Sequence, residues 1–358
     1  MSNKTVSPVV ALVVAACALF SMPESEAAVL IDTVYIGNVG NAPDPTTTLG
    51  SVNYEYSLGK YEVTIGQYTE FLNSVAKIDT YSLFVADMDS NLNIAGIARS
   101  GSSGNFSYSV KTNSGSSANR PVTFVSWFSA ARFANWMSNG QASGAQGNAT
   151  TENGAYTLNG AMSGLSFSKN AVNPNTGAAP TWWIPSVNEW YKAAYYEPGA
   201  SGDSYWLYPT RNDADPGNVV GTSENQANFV NAVYSVTQNG SYSSTQNYLS
   251  SVGAFSSSES YFGTFDQGGN VWEWTDGTII PLAAREIRGG SWDSTEFELR
   301  SSNIATNKDP ISGSQSIGFR LASIPEPSAV GLFAVTLLGL AILNWRRGQC
   351  SAATDSFL

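Results

Sequence analysis

The distribution of apolar and polar residues along this 358-residue chain indicates short strands at both ends of its central region. Apolar and polar residues alternate between residues 29 and 63, which is the pattern of strands with one buried face. Similar short segments recur at residues 286–291 and 317–323. The pattern therefore predicts strands near the beginning and near the end of this region.

Between these strands, three segments combine a helix-capping residue with apolar residues at helical spacing. Thr64 with Gln67, and Ser186 with Glu189, have the spacing of a capping box, and Ser126 is a suitable N-cap. The predicted helices cover residues 65–77, 127–137 and 186–196. Because strands and helices occur together, we expect a mixed α and β fold.

Two further segments are predicted to be irregular. Residues 101–119 are rich in Ser, Gly and Asn, which is typical of an exposed loop. Residues 197–260 are mostly polar and show little periodicity. Long irregular connections are uncommon in compact domains unless they are functional or held in place. We expect bound metal to hold the second segment.

The composition removes most of the usual catalytic groups. The chain has no histidine, and its two cysteines, Cys17 and Cys350, lie in or beyond apolar terminal segments. The region between them therefore lacks nucleophile–histidine pairs, zinc ligands of the common kinds, and histidine-held iron or copper. The formal net charge of −11 argues against nucleic acid as a partner, since phosphate binding requires basic patches.

The N-terminus predicts a secretory signal peptide over residues 1–27. Lys4 provides the positive charge, residues 9–20 form an apolar core, and the residues before Ala27 suit a signal peptidase. An uncleaved membrane anchor is the alternative. We expect the protein to be exported.

The C-terminus resembles a PEP-CTERM sorting signal over residues 324–347. A Pro-Glu-Pro tripeptide precedes an apolar stretch at 329–343, predicted to be a transmembrane helix, and Arg346 and Arg347 follow. The resemblance implies an exosortase-type processing peptidase as a partner and a location in the cell envelope, on the cell surface or in the extracellular matrix. The alternative is an ordinary membrane anchor. Residues 348–358 form a short tail, longer than such signals usually carry.

Six ordered blocks between the two terminal signals resemble the formylglycine-generating enzyme (sulfatase-modifying factor) family. They include Gly269-Asn270-Val271-Trp272-Glu273-Trp274 and Arg288-Gly289-Gly290-Ser291-Trp292. The blocks lie at residues 59–64, 121–127, 184–190, 261–274, 288–292 and 318–320. The resemblance defines a domain at residues 28–323. It implies an α+β, C-type-lectin-like fold that is loop-rich, with low regular secondary structure.

The resemblance also bears on catalysis. Active members of the family oxidise a sulfatase cysteine to formylglycine with copper held by two cysteines. Those positions are Ser294 and Leu299 here. Serine has little affinity for Cu(I), and a leucine side chain has no ligand atom, so no copper is expected and the oxidase chemistry is interpreted as lost. A sister branch of iron-dependent sulfoxide synthases needs three histidines, which this chain lacks.

What remains is a predicted structural calcium site in the Gly-Asn-x-Trp-Glu-Trp block. The resemblance implies side-chain ligands from Asp266 and Glu273 and carbonyl ligands from Gly269 and Val271. Two carboxylates with intervening glycines also suit the oxygen-rich cage that calcium prefers. The alternative is that Glu273 pairs with an arginine such as Arg288 or Arg320.

A second calcium site is implied at Asn228, with the carbonyl of Phe229 as a further ligand. Its later ligand cannot be assigned from the sequence, and Asn247 is one candidate. This site is the less specific of the two predictions.

These observations predict a non-catalytic, exported binding module at the cell surface or in the extracellular matrix. Its expected ligand class is extracellular polysaccharide. Nine of the ten tryptophans lie between Trp127 and Trp292, and we interpret them as core residues, with a sugar-stacking platform as the alternative. The alternative functions are a formylglycine-generating oxidase and a purely structural matrix protein. The expected membrane contact is through the C-terminal helix before processing.

Overall fold

The fold is described from a computed structural model. The residues it describes are 28–199, 202–279, 284–303 and 307–325. The predicted signal peptide and nearly all of the predicted sorting signal, including the apolar stretch at 329–343, lie outside these ranges. Within them, no helix has the length and apolar character needed to cross a membrane.

The regular elements are short and of both types. The α-helices are α1 Ile65–Val75, α2 Asp87–Ser90, α3 Trp127–Ser138 and α4 Val187–Tyr195. One π-helical turn covers Asn148–Glu152, and one 3-10 turn covers Glu296–Leu299. The strands up to the middle of the chain are β1 Thr33–Ile36, β2 Tyr56–Gly59, β3 Ile97–Ser100, β4 Ser107–Val110, β5 Trp182–Trp183, β6 Tyr196–Gly199 and β7 Gly202–Tyr205. The later strands are β8 Val230–Asn231, β9 Val233–Tyr234, β10 Trp272–Ile279, β11 Ala284–Arg288, β12 Asn307–Lys308, β13 Ile317–Gly318 and β14 Ala322–Ser323.

Two four-stranded sheets organise the domain. The first has the order β1-β2-β14-β5, so that strands from both ends of the domain pair, with Ala322 opposite Leu58. The second has the order β12-β11-β10-β13, in which β10 runs antiparallel to β11 and parallel to β13. The predicted strands near both ends of the region are present, and their pairing into shared sheets is a finding of the structure.

The three predicted helices are confirmed, and their caps explain where they begin. The Thr64 hydroxyl accepts from the Gln67 N–H, and the Gln67 side chain accepts from the Thr64 N–H. Ser186 and Glu189 form the same reciprocal pair at the start of α4. These bonds satisfy N–H groups that the helix cannot pair internally.

Helix α3 forms the centre of the core, and each of its residues is buried. Phe133 on α3 packs against Tyr68 and Phe71 on α1 and against Phe319 from the C-terminal part of the domain. The interpretation of the tryptophans as core residues is confirmed for the five that are fully buried: Trp127, Trp136, Trp190, Trp274 and Trp292.

The prediction of an exposed loop at residues 101–119 is wrong for its middle. Residues Ser107–Val110 form β4, which pairs with β3. The Tyr108 side chain is buried and its hydroxyl donates to the Ala76 carbonyl at 2.8 Å. One buried aromatic residue fixes the hairpin in a segment whose composition otherwise favours a loop.

The prediction that residues 197–260 are irregular is wrong in two places, where β6 pairs with β7 and β8 pairs with β9. Polar side chains bond to the backbone in other parts of this segment. Asn218 Nδ2 donates to the carbonyls of Phe229 and Val233, and Gln238 Nε2 donates to the carbonyl of Asn218. Such side-chain bonds to the backbone replace the missing ladders of regular structure.

Candidate functional site

The second sheet places Glu273 at the centre of the domain. Glu273 lies on β10, opposite Arg288 of β11 on one side and Gly318 of β13 on the other. Its Oε2 and Oε1 accept from Nε and Nη2 of Arg320, each at 2.6 Å, and Oε2 also accepts from Trp190 Nε1 at 2.7 Å. The predicted pairing of Glu273 with an arginine is therefore present, with Arg320 as the partner.

Arg320 connects this carboxylate to two distant parts of the backbone. It donates to the carbonyl of Gly59 at 2.9 Å and to the carbonyl of Phe265 at 2.9 Å. Glu273 and Arg320 are both completely buried, so the bidentate pair and these carbonyls together satisfy the guanidinium. Arg320 thus ties the end of β2 to the loop before β10.

Asp266, the second predicted acidic ligand, lies on this same loop. It is partly buried, its backbone is left-handed with φ of 59°, and its Oδ2 accepts from the Gly253 N–H at 2.6 Å. Burial raises the pKa of Asp266 to about 6, while the Gly253 N–H and the Arg320 guanidinium act in the opposite direction.

A third carboxyl group, Glu62, belongs to this centre and was not predicted as a site residue. Its Oε1 accepts from Asn270 Nδ2 at 3.1 Å, whereas its buried Oε2 has no hydrogen-bond partner among the described residues. Burial raises the pKa of Glu62 well above its usual value, and Asp266 raises it further. We call Glu62, Asp266, Glu273 and Arg320 the Arg320 centre; it holds three acids around one guanidinium.

Asn228, the residue of the second predicted calcium site, lies beside the first. Its backbone forms a parallel bridge with Gly269, and its carbonyl accepts from the Asn270 N–H at 2.8 Å. Its Nδ2 donates to the carbonyl of Tyr248 and to Asn270 Oδ1, while its buried Oδ1 has no partner among the described residues. The structure therefore brings the two predicted ligand groups together.

The donor atoms fit calcium only in part. The unpartnered Oδ1 of Asn228 is the kind of hard oxygen that calcium prefers. By contrast, both oxygens of Glu273 are occupied by Arg320 and Trp190, and the carbonyl of Phe229 accepts from Asn218. Within the described ranges, no group of three or more acidic, histidine or cysteine side chains is arranged to hold a metal. As placed, Glu273 acts as an ion-pair partner.

The remaining predicted ligand candidates occupy ordinary structural roles. Val271 is buried in a small cluster with Trp292 and Tyr248. Asn247 uses its Oδ1 to accept from the Leu249 N–H at 3.0 Å, closing a turn within its own loop. The burial of the Val271 side chain does not bear on its predicted carbonyl ligand, and the turn at Asn247 adds no ligand to the predicted calcium sites.

The two residues predicted to replace copper-binding cysteines both make contacts within the fold. Ser294 Oγ accepts from the Ser291 N–H at 3.0 Å. The Leu299 side chain is completely buried in an apolar cluster with Tyr208, Ala227 and Phe229. A serine hydroxyl and an aliphatic side chain do not fit a soft redox metal.

Comparison with known proteins identifies the domain. The family described as "Sulfatase-modifying factor enzyme 1-like domain" matches residues 24–324, which is most of the chain. The chain belongs to the sulfatase-modifying factor family. The resemblance of the six sequence blocks is thereby confirmed.

Individual relatives of this sulfatase-modifying factor domain are distant. A curated mouse protein named "Inactive C-alpha-formylglycine-generating enzyme 2" is 40% identical over 81 residues, covering 21% of this chain and 26% of that protein. The chain thus aligns with about a quarter of the length of this relative.

Three solved structures are similar at low identity. A structure of CarF is 19% identical with a TM-score of 0.46 and covers 83% of this chain and 99% of CarF. PvdO from Pseudomonas aeruginosa is 17% identical with a TM-score of 0.42, covering 82% of this chain and 92% of PvdO. Treponema denticola variable protein 1 is 17% identical with a TM-score of 0.43, covering 84% of this chain and 97% of that protein.

A stack of aromatic rings leads from the core of this sulfatase-modifying factor domain to its surface near Ser294. The ring of Trp292 stacks on Tyr248 at 5.0 Å, and Tyr248 stacks on Tyr242 at 5.8 Å, with interplanar angles of 7° and 13°. Tyr242 is 53% exposed, and its hydroxyl donates to Asn93 Oδ1 at 2.6 Å. The sequence interpretation concentrated on tryptophans and missed these tyrosines.

Proposed function

We propose that this protein is an exported, non-catalytic member of the sulfatase-modifying factor family that works as a binding module at the cell surface or in the extracellular matrix. The observation that carries the proposal is the pair Ser294 and Leu299. These residues stand where copper-binding cysteines are expected, and both are engaged in structural contacts.

The chemistry of the chain supports the loss of oxidase activity. The family reaction needs thiolates to hold copper, and neither cysteine of the chain belongs to the domain. The name of the mouse relative, which includes the word "inactive", agrees with a non-catalytic branch of the family.

Carbohydrate is the proposed ligand class, and the Tyr242 surface is its proposed contact. A flat ring whose inner face is covered by Tyr248 presents its outer face to solvent, which suits packing against the apolar face of a pyranose. The ring is held in place by its hydrogen bond to Asn93. The C-type-lectin-like description of the fold is part of the same proposal and rests on analogy.

Calcium is proposed as a structural ion between Asn228 and the Asp266–Val271 segment. The unpartnered Asn228 Oδ1 supports this placement, and the carbonyls of Gly269 and Val271 are the proposed further ligands. Glu273 would join the ligands only by giving up a contact with Arg320 or Trp190.

Export, processing by an exosortase-type peptidase, membrane contact through residues 329–343 and a final location in the cell envelope remain proposals. They rest on the sequence of the two terminal segments. Mass spectrometry of the mature protein would test them, since cleavage after Ala27 and loss of the C-terminal segment each give a defined mass.

Two experiments test the function. Titration of the purified protein with extracellular polysaccharides should show binding that Tyr242→Ala abolishes and that Tyr261→Ala, a substitution at another exposed tyrosine, leaves unchanged. Incubation with Cu(I) and a peptide containing the sulfatase Cys-x-Pro-x-Arg motif should give no aldehyde. Formation of formylglycine would establish the oxidase alternative and overturn the proposal.

A further inference from the structure

A cleft of about 360 Å³ opens beside the N-terminus of α3, away from the Arg320 centre and the Tyr242 stack. Apolar side chains form much of its wall, namely Tyr81, Val85, Phe124, Phe128, Met162 and Ile311. Serines, Gly313 and one arginine complete the lining, and none of the described residues that form it is acidic. The cleft thus combines apolar walls with hydrogen-bond donors.

The arginine, Arg132, is fixed at the base of this cleft. Its Nε and Nη2 donate to the two oxygens of Glu152 at 2.7 and 2.9 Å, and Nη2 also donates to the Ala161 carbonyl at 2.9 Å. The guanidinium lies 4.1 Å from the centre of the Tyr81 ring, and its side chain is only 1% exposed. The guanidinium is therefore held rigidly.

One nitrogen of this guanidinium makes no hydrogen bond to the described residues. Arg132 Nη1 has no hydrogen-bond partner among the described residues, whereas Nε and Nη2 are fully used. Since Arg132 lines the cleft, Nη1 is the nitrogen that can donate to a molecule inside it. A buried arginine donor without an acceptor is costly unless water or a ligand supplies one.

The N-terminus of α3 provides a second hydrogen-bond donor to this cleft. The Ser129 N–H is capped by Ser126 Oγ, and the Trp127 N–H donates to the Pro310 carbonyl. The Phe128 N–H has no partner among the described residues, although Phe128 also lines the cleft. Free N–H groups and the helix dipole make such an end favourable for negatively charged groups.

The wall of the cleft is also held in an unusual backbone conformation. Phe124 has φ of 59°, which is rare for a bulky residue. Gly313 permits it, because a Cβ at Gly313 would lie 2.4 Å from the carbonyl atoms of Phe124. The surrounding structure therefore fixes this wall before any ligand arrives.

We propose that this cleft binds a carboxylate carried by a compact ring with an apolar face. The carboxylate would accept from Arg132 Nη1 and the Phe128 N–H, and the ring would lie against Phe124 and Phe128. An aromatic acid and a uronic acid sugar share this chemistry. The site is independent of the Tyr242 surface, so it can fail without affecting the proposed function.

Isothermal titration of the full chain tests the proposal with two probes, phenylacetate and D-glucuronate, and with benzyl alcohol and D-glucose as neutral counterparts. We expect one acid to bind at least tenfold more tightly than its neutral counterpart. Whichever acid binds identifies the source of the ring. The proposal would be overturned if neither acid binds, or if neither acid binds more tightly than its neutral counterpart.

Two substitutions locate the binding. Ser163→Trp places a large side chain at an exposed position of the lining and should weaken binding at least tenfold, whereas Ser168→Trp, exposed but outside the lining, should not. Arg132→Lys retains a cation near Glu152 but removes Nη1, and it should have the same effect as Ser163→Trp. If Arg132→Lys does not fold, the two tryptophan variants decide, and unchanged binding in Ser163→Trp would refute the site.

Discussion

Arg320 and Glu273 form a two-point ion pair in which both N–O distances are 2.6 Å and neither side chain is exposed. Residues 47 positions apart in the chain are thereby joined across the second sheet. The geometry is the fork-to-fork arrangement that makes arginine–carboxylate pairs strong and directional. The pair therefore stabilises the loop that carries Asp266.

Substitution of Glu273 should be strongly destabilising. Glu273→Ala removes the bidentate partner of the buried Arg320 guanidinium and the acceptor of Trp190 Nε1. Breaking one side of a buried pair typically costs about 3–5 kcal/mol. Urea unfolding followed by tryptophan fluorescence should show a loss of this size in the free energy of unfolding.

A matched control is available at the surface. Asp215 also pairs with an arginine, Arg300, but its side chain is 64% exposed. Asp215→Asn should change the free energy of unfolding by less than about 1 kcal/mol. Similar losses in both variants would show that the buried Arg320–Glu273 pair stabilises the fold no more than an exposed ion pair does.

The sequence predicted the scaffold better than the site, for physical reasons. Capping residues and helical periodicity are local signals, so α1 and α4 were found with their N-caps. The choice of Arg320 as the partner of Glu273 depends on the pairing of β10 with β13, which no local pattern encodes.

The other residues of the Arg320 centre could not be predicted from the sequence, for a related reason. Glu62 belongs to a recognised sequence block, but nothing in that block shows that its carboxyl group is buried beside Asn270. The cleft at α3 is likewise formed by residues from distant segments, such as Tyr81 and Ile311. Burial and long-range contacts of this kind become visible only in the folded chain.

Calcium removal is the next test. If the ion binds only the folded state, EGTA should lower the melting temperature, because calcium at 100 times its Kd contributes about 2.7 kcal/mol. Asn228→Ala should reduce this calcium response by removing the unpartnered oxygen. Glu273→Ala is a poor substitute for chelation here, because it also removes the bidentate partner of Arg320. Identical melting curves with EGTA and with excess calcium would refute the calcium proposal.

Gly269 should tolerate no side chain. Its φ is 82°, and a Cβ would lie 2.2 Å from the carbonyl oxygen of Asn228, which is backbone and cannot move aside. Gly269→Ala should therefore lose several kcal/mol, since overpacking adds about 1–3 kcal/mol to the strain of a left-handed residue.

Gly104→Ala separates the effect of a positive φ from the effect of the close contact with Asn228. Gly104 also has a positive φ, of 96°, but nothing lies within 4 Å of its Cβ position. Chemical denaturation should show a much smaller loss for Gly104→Ala, of about 1 kcal/mol. Equal losses would mean that backbone strain alone, and not the contact with Asn228, makes glycine necessary at position 269.

The stability of the domain should fall as the pH rises towards neutrality, in part because of Asp276. Asp276 Oδ1 accepts from Arg285 Nη1 at 2.7 Å, yet burial raises the pKa of Asp276 to about 7, more than Arg285 lowers it. An unfolded aspartate has a pKa near 3.9, so the folded state holds the additional proton between about pH 4 and pH 7. The free energy of unfolding therefore decreases over this interval, by up to about 1.4 kcal/mol per pH unit, and the contribution is constant above it. Asp276→Asn should make this decrease shallower in urea unfolding at several pH values, whereas Asp215→Asn should not. An unchanged slope in Asp276→Asn would show that Arg285 keeps the carboxylate ionised throughout.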